Sequence, residues 1–193
     1  MSRTLAGVLA GCLVLVMVTV AGAGIPDADA SYVTMTDDGK GLTTCPAGDG
    51  EDYEYITVTA LDADLDPIPL ILAADFTVTV TGSGSANINI VAVDTQTDVN
   101  GQIRFKAEGT ATVEYELAGY SVDVQIYTVV LIDSDVLWCN TYDLDGNGWV
   151  NPVDLANFAG KYEGTSGDCD YDWDGHVTPV DLVSFAAHYE HME

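Results

Sequence analysis

Basic residues are scarce in this sequence. Lys and Arg together number 5 in 193 residues, against 31 Asp and Glu, so the formal net charge is -26 at pH 7. The phosphates of a nucleic acid would repel such a chain, and we therefore expect no nucleic-acid partner. The excess of acid is compatible instead with bound metal cations, with a basic partner surface or with solubility alone.

Histidine is also rare, and its distribution bears on catalysis. All three residues, His176, His188 and His191, lie near the C-terminus. The rest of the chain therefore offers no Ser-His or Cys-His arrangement. The paired carboxylates Glu114 and Glu116 are interpreted as an ordinary solvated strand face rather than a hydrolytic pair. We expect that the chain is not an enzyme.

The longest hydrophobic run lies at the N-terminus. It extends from Leu5 to about Val20, follows a single Arg, and precedes the small residues Ala21-Gly22-Ala23. Residues 1–23 are predicted to be a signal peptide of a secreted or cell-surface protein, with no membrane segment after cleavage. The alternative is an uncleaved anchor, because the run is just long enough to span a bilayer. A lipobox-like Leu9–Cys12 is interpreted as coincidence, because most of the run follows it.

Three cysteines would remain after cleavage, and an exported protein can oxidise them. Cys139 and Cys169 each stand shortly before one of two C-terminal repeats. If the repeats pack together these ends could meet, so a Cys139–Cys169 disulfide is the first expectation. Cys45 would then be free or paired between chains, or it could take Cys139 itself.

The central part of the sequence alternates apolar and polar residues. Residues 24–52 are predicted to be an irregular segment in which SYVTMT, residues 31–36, could form a strand, and residues 53–132 carry short β-branched runs separated by turn signals. This pattern favours a β-sandwich. The runs are YITVTALD, DFTVTVTG, ANINIVAV, GQIRFKAE, ATVEYEL and YSVDVQIYTVVLI.

Two stretches of this region, ITVTALDADLDPIP and TDVNGQIRF, resemble bacterial immunoglobulin-like domains of the invasin or Big-1 kind. The resemblance implies an immunoglobulin-like sandwich that serves as a spacer or adhesive module. A glycan or protein ligand of the sandwich is left open. The acidic run Asp62, Asp64 and Asp66 is predicted to be a turn rather than a metal site, because Pro67 follows directly.

Nearly the same phrase occurs twice near the C-terminus, as DLDGNGWVNPVDLANF from Asp143 and DYDWDGHVTPVDLVSF from Asp170. In each, oxygen-bearing side chains stand at every second residue, Gly takes the sixth place and Asp the twelfth. This spacing turns the oxygens of one tight loop towards a common centre, which suits Ca²⁺. We predict two calcium ions, with these candidate ligands: Asp143, Asp145, Asn147, Trp149, Asn151, Asp154, Asp170, Asp172, Asp174, His176, Thr178 and Asp181.

The individual ligands are expected to act differently. The seventh residues, Trp149 and His176, would offer only a backbone carbonyl, and the ninth residues could act through water. Asn-Pro and Thr-Pro followed by Val-Asp also predict a helix start behind each loop. Each helix is expected to bury one apolar stripe against the other. The stripes are Leu155, Phe158, Ala159 and Tyr162, and Leu182, Phe185, Ala186 and Tyr189.

A calcium loop followed by one helix, duplicated and without entering helices, resembles the type I dockerin domain over residues 139–193. The resemblance implies a small all-α module that docks onto a cohesin-like domain of a scaffold or surface protein. Pro-Val departs from the hydroxyl-bearing pair of many dockerins, and helix initiation is an equally good role for each Pro. Partner contacts are implied for Pro152, Val153, Lys161, Pro179, Val180 and His188.

The whole chain is therefore expected to be a bacterial exported protein with an immunoglobulin-like β-sandwich followed by a small all-α dockerin module. Its function would be non-catalytic and calcium-dependent docking. The alternative is a calcium-stabilised extracellular structural or surface protein without a cohesin partner.

Overall fold

The computed structural model describes residues 24–35, 41–45, 53–109, 118–131 and 136–190. The predicted signal peptide, its anchor and lipobox alternatives, and Glu114 and Glu116 lie outside these residues. Within the described ranges, no α-helix combines the length and hydropathy that crossing a bilayer would require.

The described residues form nine strands, two α-helices and three short 3-10 turns. In chain order the strands are β1 (Tyr32–Met35), β2 (Leu42–Thr44), β3 (Tyr53–Thr59), β4 (Phe76–Thr81), β5 (Ile88–Ala92), β6 (Gln102–Gly109), β7 (Ala118–Ile126), β8 (Val129–Val130) and β9 (Val136–Thr141). The helices are α1 (Pro152–Lys161) and α2 (Pro179–Ala187). The 3-10 turns are Ala73–Asp75, Ser85–Asn87 and Gly167–Cys169.

The strands build two sheets. The first sheet has the order β1-β3-β6-β5 and is antiparallel throughout. The second has the order β2-β9-β7-β4, with β8 also paired to β7, and only β2 and β9 run parallel. Alternate residues of each strand point to opposite faces, so one face of each sheet can supply apolar side chains. These side chains form one buried cluster that includes Ile56, Val58, Ile103, Phe105, Tyr120, Val122, Val124 and Leu137.

Most alternating runs coincide with strands, and two segments differ from expectation. The run from residue 120 to 132 is broken into β7 and β8 at Tyr127, whose φ is 52°. Residues 24–52 were predicted to be irregular except for a possible strand at SYVTMT, where β1 lies and pairs with β3, but β2 also forms in this segment and pairs with β9. The run ATVEYEL, residues 111–117, lies outside the described residues.

The prediction of a β-sandwich followed by an all-α module is wrong. The described part of the chain is mostly β-sheet, and the two α-helices found in it contain only 10 and 9 residues. The reason lies in β9, which extends across the predicted module boundary at residue 139 and pairs with both β2 and β7. The repeats therefore continue directly from the second sheet, and most of each repeat is loop rather than helix.

The predicted Cys139–Cys169 disulfide is not formed. Both residues are buried thiols, and they belong to different hydrophobic clusters. Cys139 points into the sandwich core because of its position on β9, whereas Cys169 lies in the C-terminal core that also contains Cys45. Burial raises the pKa of both thiols, to about 11 for Cys169, so neither is a reactive thiolate at neutral pH.

The turn before β6 requires glycine at position 101. Gly101 has a φ of 74°, and a Cβ there would lie 2.4 Å from the carbonyl oxygen of Ala60. Gly101→Ala is expected to lower the free energy of unfolding by about 1–3 kcal/mol. Gly160→Ala is the matched control: a Cβ at that position would have no atom within 4 Å, and the change should raise stability by about 0.5 kcal/mol. Urea titration of both variants measures the difference, and equal effects would contradict this interpretation.

Candidate metal centres

Both repeats form compact loops with the same backbone shape. The first loop runs from Asp143 to Asp154, between β9 and α1, and the second from Asp170 to Asp181, ahead of α2. The fourth and sixth places have positive φ in both loops. The values are 71° for Gly146, 80° for Gly148, 60° for Trp173 and 90° for Gly175. The conformation is thus repeated even where Trp replaces Gly at some steric cost.

The first acid of each loop is the point around which the backbone turns. Asp143 has no exposed surface, and its Oδ2 accepts a hydrogen bond of 2.7 Å from Gly148 N. Its Oδ1 accepts from Gly146 N and Asn147 N at 2.9 and 3.2 Å. Such backbone donors stabilise the charged form of a carboxylate.

Asp170 repeats this arrangement in the second loop. Its Oδ2 accepts from Gly175 N at 2.8 Å and its Oδ1 from Asp174 N at 3.1 Å. Its exposed fraction is 5%. The backbone N–H of the sixth-place Gly therefore donates a hydrogen bond to the first-place Asp in both repeats.

Because oxygen-bearing residues occur at every second place, their side chains accept hydrogen bonds from the backbone N–H groups two residues further along. Asp145 Oδ1 accepts from Asn147 N at 3.1 Å, and Asn147 Oδ1 accepts from Trp149 N at 2.9 Å. In the second loop Asp172 and Asp174 accept in the same way from Asp174 N and His176 N. Each side chain is thereby held on the inner side of the turn, as convergence on a common centre requires.

The twelfth acid closes each loop and begins each helix. Asp154 and Asp181 are fully buried. Asp154 Oδ2 accepts from Asn151 N at 2.9 Å, and Asp181 Oδ2 accepts from Thr178 N at 2.7 Å. Asn151 and Thr178 in turn cap the first helical turns, with Pro next to them. The predicted helix starts are confirmed at both repeats.

The acidic side chains converge within each loop. Ligand atoms of Asp143, Asp145 and Asp154 all lie within 4.8 Å of one another. In the second loop the group is Asp170, Asp172 and Asp174, so it contains the fifth place and does not include Asp181 at the twelfth. The carboxylate of Asp181 also accepts from Tyr171 N at 2.6 Å.

The other predicted ligands lie at the rim of the loops. Trp149 and His176 have exposed side chains, which fits a role for their backbone carbonyls alone. The Trp149 carbonyl accepts a hydrogen bond of 2.8 Å from Asn151 Nδ2. Asn151 and Thr178 use their side-chain oxygens as helix caps, through Val153 N and Val180 N.

The burial of these acids has an electrostatic cost. Burial raises the pKa of Asp154, and the nearby carboxylates of Asp145 and Asp143 raise it further, although backbone N–H donors oppose the rise. Burial also raises the pKa of Asp170. A cation among these oxygens would offset the mutual repulsion, and an all-oxygen donor set suits a hard ion such as Ca²⁺. The residues present therefore fit the predicted ion.

The helices behind the loops bury less than the stripes predicted. The buried side chains of α1 are Asp154 and Phe158, and those of α2 are Asp181 and Phe185. The two Phe rings meet with centroids 5.3 Å apart. Leu155, Ala159, Tyr162, Leu182 and Ala186 are exposed, so these members of the predicted stripes are wrong, whereas Tyr189 packs against the C-terminal core.

Exposed apolar residues are duplicated on the two helices. Val153 and Leu155 have exposed fractions of 52% and 39%, and Val180 and Leu182 have 58% and 38%. The adjacent Pro152 and Pro179 are also exposed. Both repeats therefore present the same Pro-Val-x-Leu surface, with the intervening Asp turned inward.

Two other predicted partner contacts are engaged within the chain. Lys161 Nζ lies 2.5 Å from Asp168 Oδ2. The His188 ring stacks on Tyr142 with centroids 4.0 Å apart, and its Nδ1 lies 2.9 Å from the Ser184 carbonyl oxygen. Both side chains help to fix the ends of the helices.

The residues that fasten the loops to the sandwich were missed by the sequence reasoning. Asn140 Nδ2, at the end of β9, donates to the carbonyl oxygens of Gly167 and Asp170 at 3.1 and 3.0 Å. Tyr171 donates through its hydroxyl to the Thr141 carbonyl at 3.2 Å. The signal that could have found them is the large apolar second place of each loop, Leu144 and Tyr171, both of which are buried.

The acidic run near Pro67 forms the predicted turn. Asp62 Oδ1 accepts from the backbone N–H groups of Asp64 and Asp66, both at 3.0 Å. Leu65 N donates to the Asp62 carbonyl and has a φ of 67°. The side chain of Asp62 is therefore used to shape the turn.

Comparison with protein-family models, with curated proteins and with solved structures gives no match to this chain.

Proposed function

We propose that this chain is an exported, non-catalytic interaction protein whose two loops each hold a calcium ion and whose helices dock onto a cohesin-like domain. The observation that carries the proposal is the duplication itself. Each repeat combines a buried acidic loop with an exposed Pro-Val-x-Leu surface on the helix that the loop begins. After signal cleavage the protein would act outside the cell, without membrane or nucleic acid as a partner.

Calcium would provide the conditions for docking. The twelfth acid is both a loop residue and the third residue of its helix, so the position of each helix depends on its loop. An ion would neutralise the clustered carboxylates and fix the exposed residues at the start of the helix. Binding of the partner is therefore expected to depend on calcium even though the docking surface is apolar.

The exposed surface has the composition of a docking site. Apolar side chains at the centre of a contact patch supply most of the affinity when they are removed from water. Val153 and Leu155 are exposed on either side of the inward-facing Asp154 in the first turn of α1, and Val180 and Leu182 occupy the same places on α2. Because the two sets are identical, either helix could present them to one partner site.

A charge substitution within this surface tests the proposal. Val153→Asp combined with Val180→Asp is expected to weaken binding to a cohesin-like domain from the same genome at least about thirtyfold, because each Asp would have to be desolvated. Val99→Asp is the matched control, since Val99 is 82% exposed on a sandwich loop and should leave affinity unchanged. Titration calorimetry of the chain from residue 24 to 193, with calcium and with chelator, measures both. Calcium-independent affinity, or equal affinity of all three proteins, would contradict the proposal.

The second candidate function is a calcium-stabilised structural protein without a cohesin partner. The observation that favours it is the connection of the loops to the sandwich through Asn140 and Tyr171. In that case calcium would raise the melting temperature of the whole chain, and no cohesin-like domain would bind at any calcium concentration. Binding to a cohesin-like domain therefore separates the two candidates, because calcium should raise the melting temperature in either case.

A further inference from the structure

The outer face of the first sheet carries an unusual group of side chains for so acidic a chain. Tyr53, Tyr55 and Thr57 point outward from β3, since the residues between them point into the core. On the paired strand β6, Lys106 lies opposite Tyr55 and Arg104 opposite Thr57. We call these five residues the tyrosine face.

The rings of the tyrosine face are held in place. Tyr53 and Tyr55 meet edge to face with centroids 5.0 Å apart. Lys106 Nζ lies 5.0 Å from the centre of the Tyr53 ring, and Arg104 Cζ lies 5.7 Å from that of Tyr55. Tyr53 is nevertheless 46% exposed. A fixed, half-exposed ring presents a flat apolar surface at little entropic cost.

A polar pocket of about 460 Å³ adjoins this face. Thr57 and Arg104 belong to both, and every other wall residue is Asp, Thr or Gln. The pocket therefore offers hydroxyl, amide, carboxylate and guanidinium groups and no apolar wall, which disfavours a lipid or a hydrophobic small molecule. Its wall consists of Thr57, Asp94, Thr95, Gln96, Asp98, Gln102 and Arg104.

The charges of this region are already matched. Arg104 makes two hydrogen bonds to the carboxylate of Asp94, at 3.0 and 3.1 Å, and Lys106 pairs with Glu108. Among the residues that the structure describes, these two pairs leave neither sign in excess beside the rings, and Asp98 adds one further negative charge to the pocket. With a net charge of -26 on the whole chain, an anionic polymer would be repelled.

We propose that the tyrosine face and its pocket bind a neutral polysaccharide. A pyranose ring has an apolar face of C–H groups that can lie against Tyr53, and hydroxyls at its edge that need paired donors and acceptors. A sugar further along the same polysaccharide would place its hydroxyls among the amide, carboxylate and guanidinium groups of the pocket. This site is remote in sequence from the calcium loops and does not depend on the proposed docking function.

Affinity electrophoresis with defined polysaccharides tests the site. The chain from residue 24 to 193, with calcium present throughout, would be run through gels that contain hydroxyethyl cellulose, xylan, mannan or, as the anionic arm, polygalacturonate. At least one neutral polymer should retard the protein. Tyr53→Ala combined with Tyr55→Ala is expected to raise the dissociation constant about tenfold or more. Gln102→Ala should weaken binding without touching either ring.

The matched control is Tyr127→Ala, because Tyr127 is 54% exposed at the turn between β7 and β8 of the other sheet. It should migrate as the unsubstituted chain does, and circular dichroism verifies that every variant is folded. The proposal is supported if a neutral polymer retards the unsubstituted chain and Tyr127→Ala but no longer retards the Tyr53 and Tyr55 double variant or Gln102→Ala. Absence of retardation, retardation by polygalacturonate alone, or retardation that all variants share would overturn it. None of these outcomes bears on whether the chain binds calcium or a cohesin-like domain.

Discussion

Asp143→Ala combined with Asp170→Ala is expected to abolish calcium binding and to melt both C-terminal helices. Each residue accepts backbone hydrogen bonds from its own loop, including the sixth-place Gly, and each is buried at the centre of a turn. Ala would remove a charged ligand and leave those N–H groups without their acceptor, so the loop loses its shape as well as its ion. Calorimetry should give two ions per unsubstituted chain and no heat for the variant.

The stability effect should be large. An ion that binds only the folded chain stabilises it by about 4 kcal/mol per site at a concentration a thousandfold above its dissociation constant. Chelation of the unsubstituted chain should therefore lower its melting temperature substantially, and it should leave the double variant unchanged. Circular dichroism at increasing temperature, with calcium and with chelator, gives both values.

A control with the same change of charge separates ligand loss from reduced repulsion. Asp64→Ala combined with Asp123→Ala also removes two acids, and both of these residues are exposed on the sandwich. This variant should bind two calcium ions and retain its helices. Calcium uptake by the Asp143 and Asp170 variant, or indifference of the unsubstituted chain to chelation, would refute the site assignment.

The local geometry of the loops could be predicted because it depends on short spacings. A side chain that accepts a hydrogen bond from two residues further on, a Gly with positive φ and an Asn-Pro or Thr-Pro helix start are all encoded within twelve residues. The sixth-place Gly148 and Gly175 were identified for the sharp turn, and both have positive φ. The bound calcium and the docking partner of the chain remain predictions.

The faces of the helices could not be predicted from an apolar period alone. In each helix the buried pair is an Asp and the Phe four residues later, because the loop lies beneath the first turn and draws the Asp inward. This rotates Leu155 and Leu182 outward, although their spacing to the Phe is helical.

Contacts between distant segments account for the remaining errors. β2 pairs in parallel with β9, so Leu42 lies beside Cys139 although almost a hundred residues separate them. No local pattern indicates such a pairing, and it determines that Cys139 points into the sandwich core rather than towards Cys169. The same pairing extends β9 across residue 139, and it overturned the prediction of an all-α module.

The pairing of β2 with β9 also predicts how a fragment of residues 139–193 behaves. We expect this fragment to show no cooperative unfolding transition even with saturating calcium, whereas residues 24–193 should unfold cooperatively. The fragment cuts β9 and removes both of its neighbours, β2 and β7. It also lacks Cys45, which is buried in the C-terminal core with Tyr142 and Tyr171.

The fragment would also lose the hydrogen bonds that join Thr44 to Thr141 and Tyr142. The Thr44 carbonyl accepts from Tyr142 N at 3.2 Å and from Thr141 Oγ1 at 3.0 Å, and both donors would be orphaned in the fragment. A core this small seldom supplies more than about 3–5 kcal/mol, and the fragment loses part of it with Cys45 and with the strands that pair with β9. Differential scanning calorimetry of fragment and longer chain decides the matter. A cooperative transition in the calcium-loaded fragment would mean that the loops and helices are sufficient by themselves, and that their attachment to the second sheet is incidental to their stability.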